Sequence, residues 1–105
     1  MRITIASHIV LDKIRSIDGN VTESIGGPSC YCGITSRRFG FDVTVATKVG
    51  KDFPRELFQL LEKERIILGE RAIVDAPTTR FDIFSEGDSR QLFLDVKCNS
   101  LTVDD

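Results

Sequence analysis

Gly26-Gly27-Pro28-Ser29 divides this chain between two kinds of hydrophobic pattern, and that division points to an α/β arrangement. Upstream, residues 2–6 and 8–11 are rich in Ile and Val, with only Ser7-His8 between them. Such a run suits a buried strand that leaves its sheet near His8. Downstream, Tyr31, Ile34 and Phe39 recur at near-helical spacing over Cys30 to Phe39, and Gly40 offers a left-handed stop. Phe41 to Val49 returns to alternation through Val43 and Val45. It predicts a second strand, parallel to the first through a right-handed crossover. A βαβ unit is the expected nucleus of the fold.

The remaining segments decorate that unit. Asp18-Gly19-Asn20 lies inside residues 13–25, whose widely spaced isoleucines read as two short strands joined in a hairpin. Gly50-Lys51-Asp52 closes the second strand, and Asp52 is placed to cap a helix that begins at Phe53-Pro54. Phe53, Leu57, Leu60, Leu61 and Ile66 form the apolar stripe of that helix. Beyond Gly69, residues 72–74, 80–85 and 91–98 read as strands, the last two joined at Glu86-Gly87-Asp88-Ser89. Leu92, Leu94, Val96 and Cys98 are expected to share a face by simple alternation.

Composition narrows the function. With 105 residues, 41% of them apolar and 29% charged, the chain suits one globular domain. A net charge of -2 provides no basic footprint for nucleic acid. No apolar run reaches the length of a membrane span or a signal peptide, which places the expected protein in the cytoplasm. The cysteines are Cys30, Cys32 and Cys98, an odd number with no His beside the close pair to complete a zinc site, so they read as reduced thiols and no metal is expected.

The best candidate site joins Asp12, just past the first strand, to Gly26 and Gly27 at the start of the first helix. Both belong to the carboxyl ends of neighbouring strands or their connections, where open α/β sheets bind ligands. A carboxylate there can accept hydrogen bonds from two hydroxyls, and paired glycines let a ligand approach backbone amides at a helix amino terminus. These are parts that suit a polyol. A stand-alone Rossmann-type nucleotide site would need a glycine-rich loop directly after the first strand, and Ser7-His8-Ile9 is not one.

Four segments in order, Ser7-His8-Ile9-Val10-Leu11-Asp12, Gly26-Gly27-Pro28-Ser29-Cys30-Tyr31, Thr47 through Pro54, and Thr78-Thr79-Arg80-Phe81, resemble successive landmarks of the ribokinase-like PfkB kinases. The resemblance implies an incomplete ribokinase-like α/β fold with a partly parallel central sheet, flanking helices and a peripheral β lid hairpin around Asp18-Gly19-Asn20. It also implies that Asp12 binds substrate hydroxyls, that Gly26-Gly27 wraps a sugar or nucleoside, that Tyr31 lies at a substrate contact, and that Thr79 and Phe81 line the far side. Where ribokinase-type members carry Gly-Gly-x-x-x-Asn, this chain has Pro28 and Tyr31, so the acceptor need not be ribose.

Family members transfer a phosphoryl group from ATP, with Mg²⁺, and carry a Gly-Ala-Gly-Asp type motif whose Asp is the base. No such motif occurs in residues 1–105, so no catalytic residue is assigned and neither ATP nor Mg²⁺ is expected to bind this chain tightly. Residues 1–105 are expected to be the amino-terminal substrate-binding and lid portion of a longer kinase, inactive alone. A non-catalytic sugar- or nucleoside-binding or dimerisation module is the alternative. A half-sheet leaves an uncovered edge, so a homodimer through the lid or that edge is the expectation for the short chain.

Overall fold

A computed structural model describes residues 1–102 and 104–105. Strand β1 (Arg2–Ala6) is followed by a hairpin of β2 (Val10–Ser16) and β3 (Val21–Gly26), then helix α1 (Pro28–Arg38) and strand β4 (Asp42–Ala46). The short β5 (Val49–Gly50), helix α2 (Arg55–Lys63), β6 (Ile66–Leu68) and β7 (Ile73–Val74) lead to a second hairpin of β8 (Arg80–Glu86) and β9 (Ser89–Val96). β1, β4 and β6 form a parallel core sheet in the order β1-β4-β6. The two hairpins merge into a four-stranded lid sheet, β3-β2-β8-β9, whose central pair β2 and β8 is parallel. The expected partly parallel α/β fold with a peripheral lid is the one observed, although the lid contains both hairpins and not one.

Val43 and Val45 of the central strand are buried, and they join Ile9, Leu11, Cys30, Phe53, Leu61 and Ile66 in one apolar cluster. Helix α1 reaches this cluster through small residues. Ser29, Cys30 and Gly33 are its buried positions, while Tyr31 is 60% and Phe39 79% exposed. A Cβ on Gly33 would stand 3.3 Å from Ile66 Cδ1, so the helix lies too close to the sheet for large side chains on that face. The expected Tyr31-Ile34-Phe39 stripe is thus corrected: only Ile34 packs against the core.

Three further expectations change. Residues 2–6 and 8–11 are separate strands in different sheets, because the chain leaves the core sheet at Ser7 and enters the lid at Val10. Phe41 to Val49 is likewise divided, with β5 pairing with β7 instead of extending β4. Ile66 belongs to β6, since the helix ends at Lys63 and Arg65 takes a left-handed φ of 58°. On β9, Phe81 pairs with Leu94 but Arg80 pairs with Val96, leaving Asp95 as a bulge. Adjacent residues of β8 face opposite sides, so Leu94 and Val96 do as well, and the expected shared face does not extend past Leu94.

Asp52 does not cap α2, whose first turn begins after Pro54 without a side-chain cap. Its Oδ1 accepts from the Thr78 backbone N–H at 3.0 Å and from the Thr78 hydroxyl at 2.7 Å, and its Oδ2 accepts from Arg80 at 3.0 Å. The carboxylate therefore ties the β5–α2 turn to the base of the lid. Gly50 is required beside it, for a Cβ there would lie 2.6 Å from Asp52 Oδ1 and 2.9 Å from the Thr78 nitrogen.

Asp52→Ala should lower the free energy of unfolding in urea by about 1–3 kcal/mol, because the Thr78 amide loses its acceptor at a partly buried site. Asp75→Ala, at an exposed position, is the control. Burial raises the Asp52 pKa, but the bonds from Thr78 and Arg80 outweigh it and leave a net lowering. That contribution is present above the ordinary carboxylate pKa and is lost as pH falls through the lowered one, so the wild type and Asp52→Ala should converge in acid.

Candidate acceptor-binding site

The lid's pairing register places the candidate residues. Asp12 on β2 is opposite Ser24 on β3 and Phe81 on β8, and Phe81 is opposite Leu94 on β9. Paired residues project to the same side of a sheet, and so do alternate residues along each strand. One face of the lid therefore presents Val10, Asp12, Phe81, Ile83, Arg90 and Leu92. The amino-terminal turn of α1 supplies the facing wall through Gly27, Pro28 and Tyr31. Together they enclose a cleft of about 400 Å³, within the size range of small-molecule sites.

The two glycines act differently. Gly26 ends β3 opposite Val10, and a Cβ there would stand 2.9 Å from Asp12 Cγ and closer still to Oδ2. Its bare Cα makes the space the Asp12 carboxylate occupies. Gly27 has φ 97° and serves as the residue before α1. A Cβ on it would approach the His8 carbonyl oxygen to 2.6 Å, so the chain crosses β2's entry only with glycine there. Ser29 then fixes the helix start: its N–H donates to Ser7 Oγ at 3.0 Å, its hydroxyl donates to the Ser7 carbonyl at 3.1 Å, and the two hydroxyls are in direct contact.

Burial is the largest influence on Asp12 and pushes its carboxyl above the usual range, against the opposing pull of the Arg90 guanidinium. A carboxylate short of solvent, with apolar Val10 and Phe81 beside it, gains most from hydroxyl donors brought by a ligand. Tyr31 is exposed at the cleft rim, its hydroxyl donating weakly to the Ile25 carbonyl at 3.4 Å. Phe81 lines the same cleft.

Asp12, Gly27, Tyr31 and Phe81 thus meet at one cleft, with Gly26 directly behind Asp12. Thr79 does not join them. It is buried, its hydroxyl accepting from the Cys98 backbone N–H at 3.0 Å and its carbonyl accepting from Leu11 N–H at 2.9 Å. His8 also stands outside, its Nε2 donating to the Asn99 carbonyl at 2.7 Å. Sequence reasoning missed Val10, Pro28, Ile83, Arg90 and Leu92 as lining residues. For Arg90 and Leu92 the signal was the parity of β9, legible once its register with β8 is known. The opposite lid face is charged, with ion pairs from Arg15 to Asp82 and from Arg80 to Glu23 and Asp52.

Solved structures share this architecture. A pyrophosphate-dependent kinase in the ribokinase family matches with a TM-score of 0.80 and 22% identity, over 96% of this chain and 35% of its own. The chain has the ribokinase-like fold. Fructokinase from Halothermothrix orenii matches this ribokinase-like chain at a TM-score of 0.76 and 18% identity, over 90% of it and 37% of the fructokinase. Ribokinase from Giardia lamblia matches at 0.77 and 19% identity, over 89% of it and 32% of the ribokinase. The chain spans about a third of the length of these solved structures. No family model matches the sequence, and no curated protein matches it.

Gly26→Ala should expel the Asp12 carboxylate and weaken binding of the best polyol ligand as much as Asp12→Ala does, measured by titration calorimetry. Wild-type affinity in Gly26→Ala would show that the carboxylate is not held at the ligand. The ionised carboxyl is the stronger acceptor for two hydroxyl donors, so affinity should fall as pH drops through the Asp12 pKa. The raised value puts that onset at a higher pH than for an ordinary aspartate.

Proposed function

We propose that this chain forms the acceptor-binding and lid portion of a PfkB-type carbohydrate kinase. The observation that carries the reading is the meeting of Asp12 from β2, Gly27 and Tyr31 from the start of α1, and Phe81 from β8 at one monosaccharide-sized cleft. The solved structures of like fold, among them a fructokinase and a ribokinase, favour a carbohydrate acceptor. Asp12 accepts two neighbouring hydroxyls and fixes the sugar's orientation, while the lid face and α1 exclude water from its two sides. Positioning of this kind is much of what phosphoryl transfer asks of a protein.

The phosphoryl donor and its metal belong to the rest of such an enzyme. Among the described residues no group of three His, Cys, Asp or Glu side chains is placed to hold a cation. ATP is the donor proposed for the complete kinase. Pyrophosphate should be tested beside it, because one of the similar structures is a pyrophosphate-dependent kinase. Among the described residues no helix is long and apolar enough to cross a membrane; a cytoplasmic location is part of the proposal.

A second role is favoured by β9. It is an edge strand of eight residues, and Leu92, Phe93 and Leu94 are each about half exposed. Pairing of two lids along such strands would cover this surface, and sedimentation at micromolar concentration should give a dimer. A clean monomer would remove the dimer from the proposal.

Titration of pentoses, hexoses, polyols and nucleosides should identify at least one saturable ligand. Asp12→Ala should weaken that ligand at least tenfold with the fold intact by circular dichroism. Unchanged affinity would overturn the assignment.

A further inference from the structure

Arg90 is the one Lys or Arg among the described residues that lines the cleft. Arg15, Arg37, Arg38, Lys48 and Arg80 each have a carboxylate within 4.0 Å, and none of these five lines the cleft. Among the described residues Arg90 forms no ion pair and no side-chain hydrogen bond. Yet it lines the cleft. It is the second residue of β9, opposite Ser85, on the lid face that also carries Ile83 and Leu92. Its surroundings on that wall are apolar.

The register gives its position relative to Asp12. Arg90 is two strands across from Asp12 and four residues along from Leu94, which is roughly 10 Å across and 13 Å along at ordinary strand spacings. Backbone separation on that scale, spanned from both ends by side chains, leaves a gap for a small acceptor between the two charged heads. The carboxylate takes hydroxyls at one end. A guanidinium at the other has five donors in a planar fork and no acceptor capacity, so it suits the oxygens of a carboxylate or phosphate. A neutral sugar closing the cleft would strip water from Arg90 without giving it a counter-charge.

We infer that the acceptor of this site is an anionic sugar, its hydroxyls held by Asp12 and a carboxylate or phosphate at its far end held by Arg90. The inference rests on the acceptor-site reading and adds to it the substrate class and a specificity residue. The opposing influence of Arg90 on the Asp12 carboxyl is consistent with the two groups facing one cavity.

The test compares D-glucose, D-gluconate and D-glucose 6-phosphate by titration calorimetry against wild type, Arg90→Gln, Arg90→Lys and Asp12→Asn. Wild type should bind one anionic probe at least tenfold more tightly than glucose, and which probe it is distinguishes a sugar acid from a sugar phosphate. Arg90→Gln should erase that preference, lowering affinity for the anionic probe at least tenfold more than affinity for glucose. Arg90→Lys should restore part of it, and added salt should diminish it. If neither anion binds better than glucose, or if the preference survives Arg90→Gln, the inference is overturned. Asp12→Asn separates the two readings: a loss of all three probes upholds the acceptor site whatever Arg90 does, whereas unchanged binding in Asp12→Asn sinks that site itself.

Discussion

The core sheet, the lid sheet and the short β5–β7 pair meet in this small chain, and at their margins backbone N–H groups need partners outside the strand ladders. Three buried threonine hydroxyls take up those amides. Thr47 accepts from Ile9, Thr78 from Gly50 and Thr79 from Cys98, at 2.8–3.0 Å. An unsatisfied amide at such a depth costs about 1–3 kcal/mol, so three of them would rival a sizeable part of a domain's net stability. Thr78 has a second task, donating its hydroxyl proton to Asp52 while accepting from Gly50. The lid is therefore joined to the core by polar contacts of fixed length, and the cleft inherits its dimensions from them.

Above that joint the site is shaped mostly by atoms that are missing. Gly26 leaves the volume that the Asp12 carboxylate fills, and Gly27 lets the chain pass over the His8 carbonyl before turning into α1. Small residues on α1 then bring its backbone down onto the sheet, which turns Tyr31 outward to the cleft rim. Close packing at the base and an open, partly apolar cleft above it are two results of the same choice of side chains.

Much of this was legible from sequence. Glycine punctuation and the change from strand to helix patterning located the βαβ unit, and the Asp18-Gly19-Asn20 turn located β2 and β3, where Asp18 indeed accepts from Ser16 and Asn20. Asp12 and the glycine pair, taken alone, read as ordinary surface and turn residues, and it was the order of the segments that carry them, resembling the landmarks of a known family, that raised them to candidates. What stayed hidden was set by tertiary context. The end of α2 has Arg65 where a left-handed residue is usually glycine, so Ile66 read as helix. Asp52 lies where a cap would, but its partners are Thr78 and Arg80, 26 and 28 residues away. The bulge at Asp95 breaks an alternation that looks regular on paper, and Arg90 acquires meaning only through the pairing of β9 with β8.

The parallel pairing of β2 with β8 has a consequence for the order in which the molecule forms. Residues 10–31 supply one half of the cleft and residues 81–92 the other, with both core helices and the core sheet encoded between them or around them. Contacts so distant in sequence require a large loop to close before they contribute, and parallel strands offer no hairpin to speed them. On the ribosome, the first hairpin and α1 would wait with Val10, Ile14 and the glycine turn exposed until the chain had emerged through β8, which ends at Glu86. The cleft is then the last part of the chain to become itself, and a ligand that fits it would act as a late fastener on the whole lid.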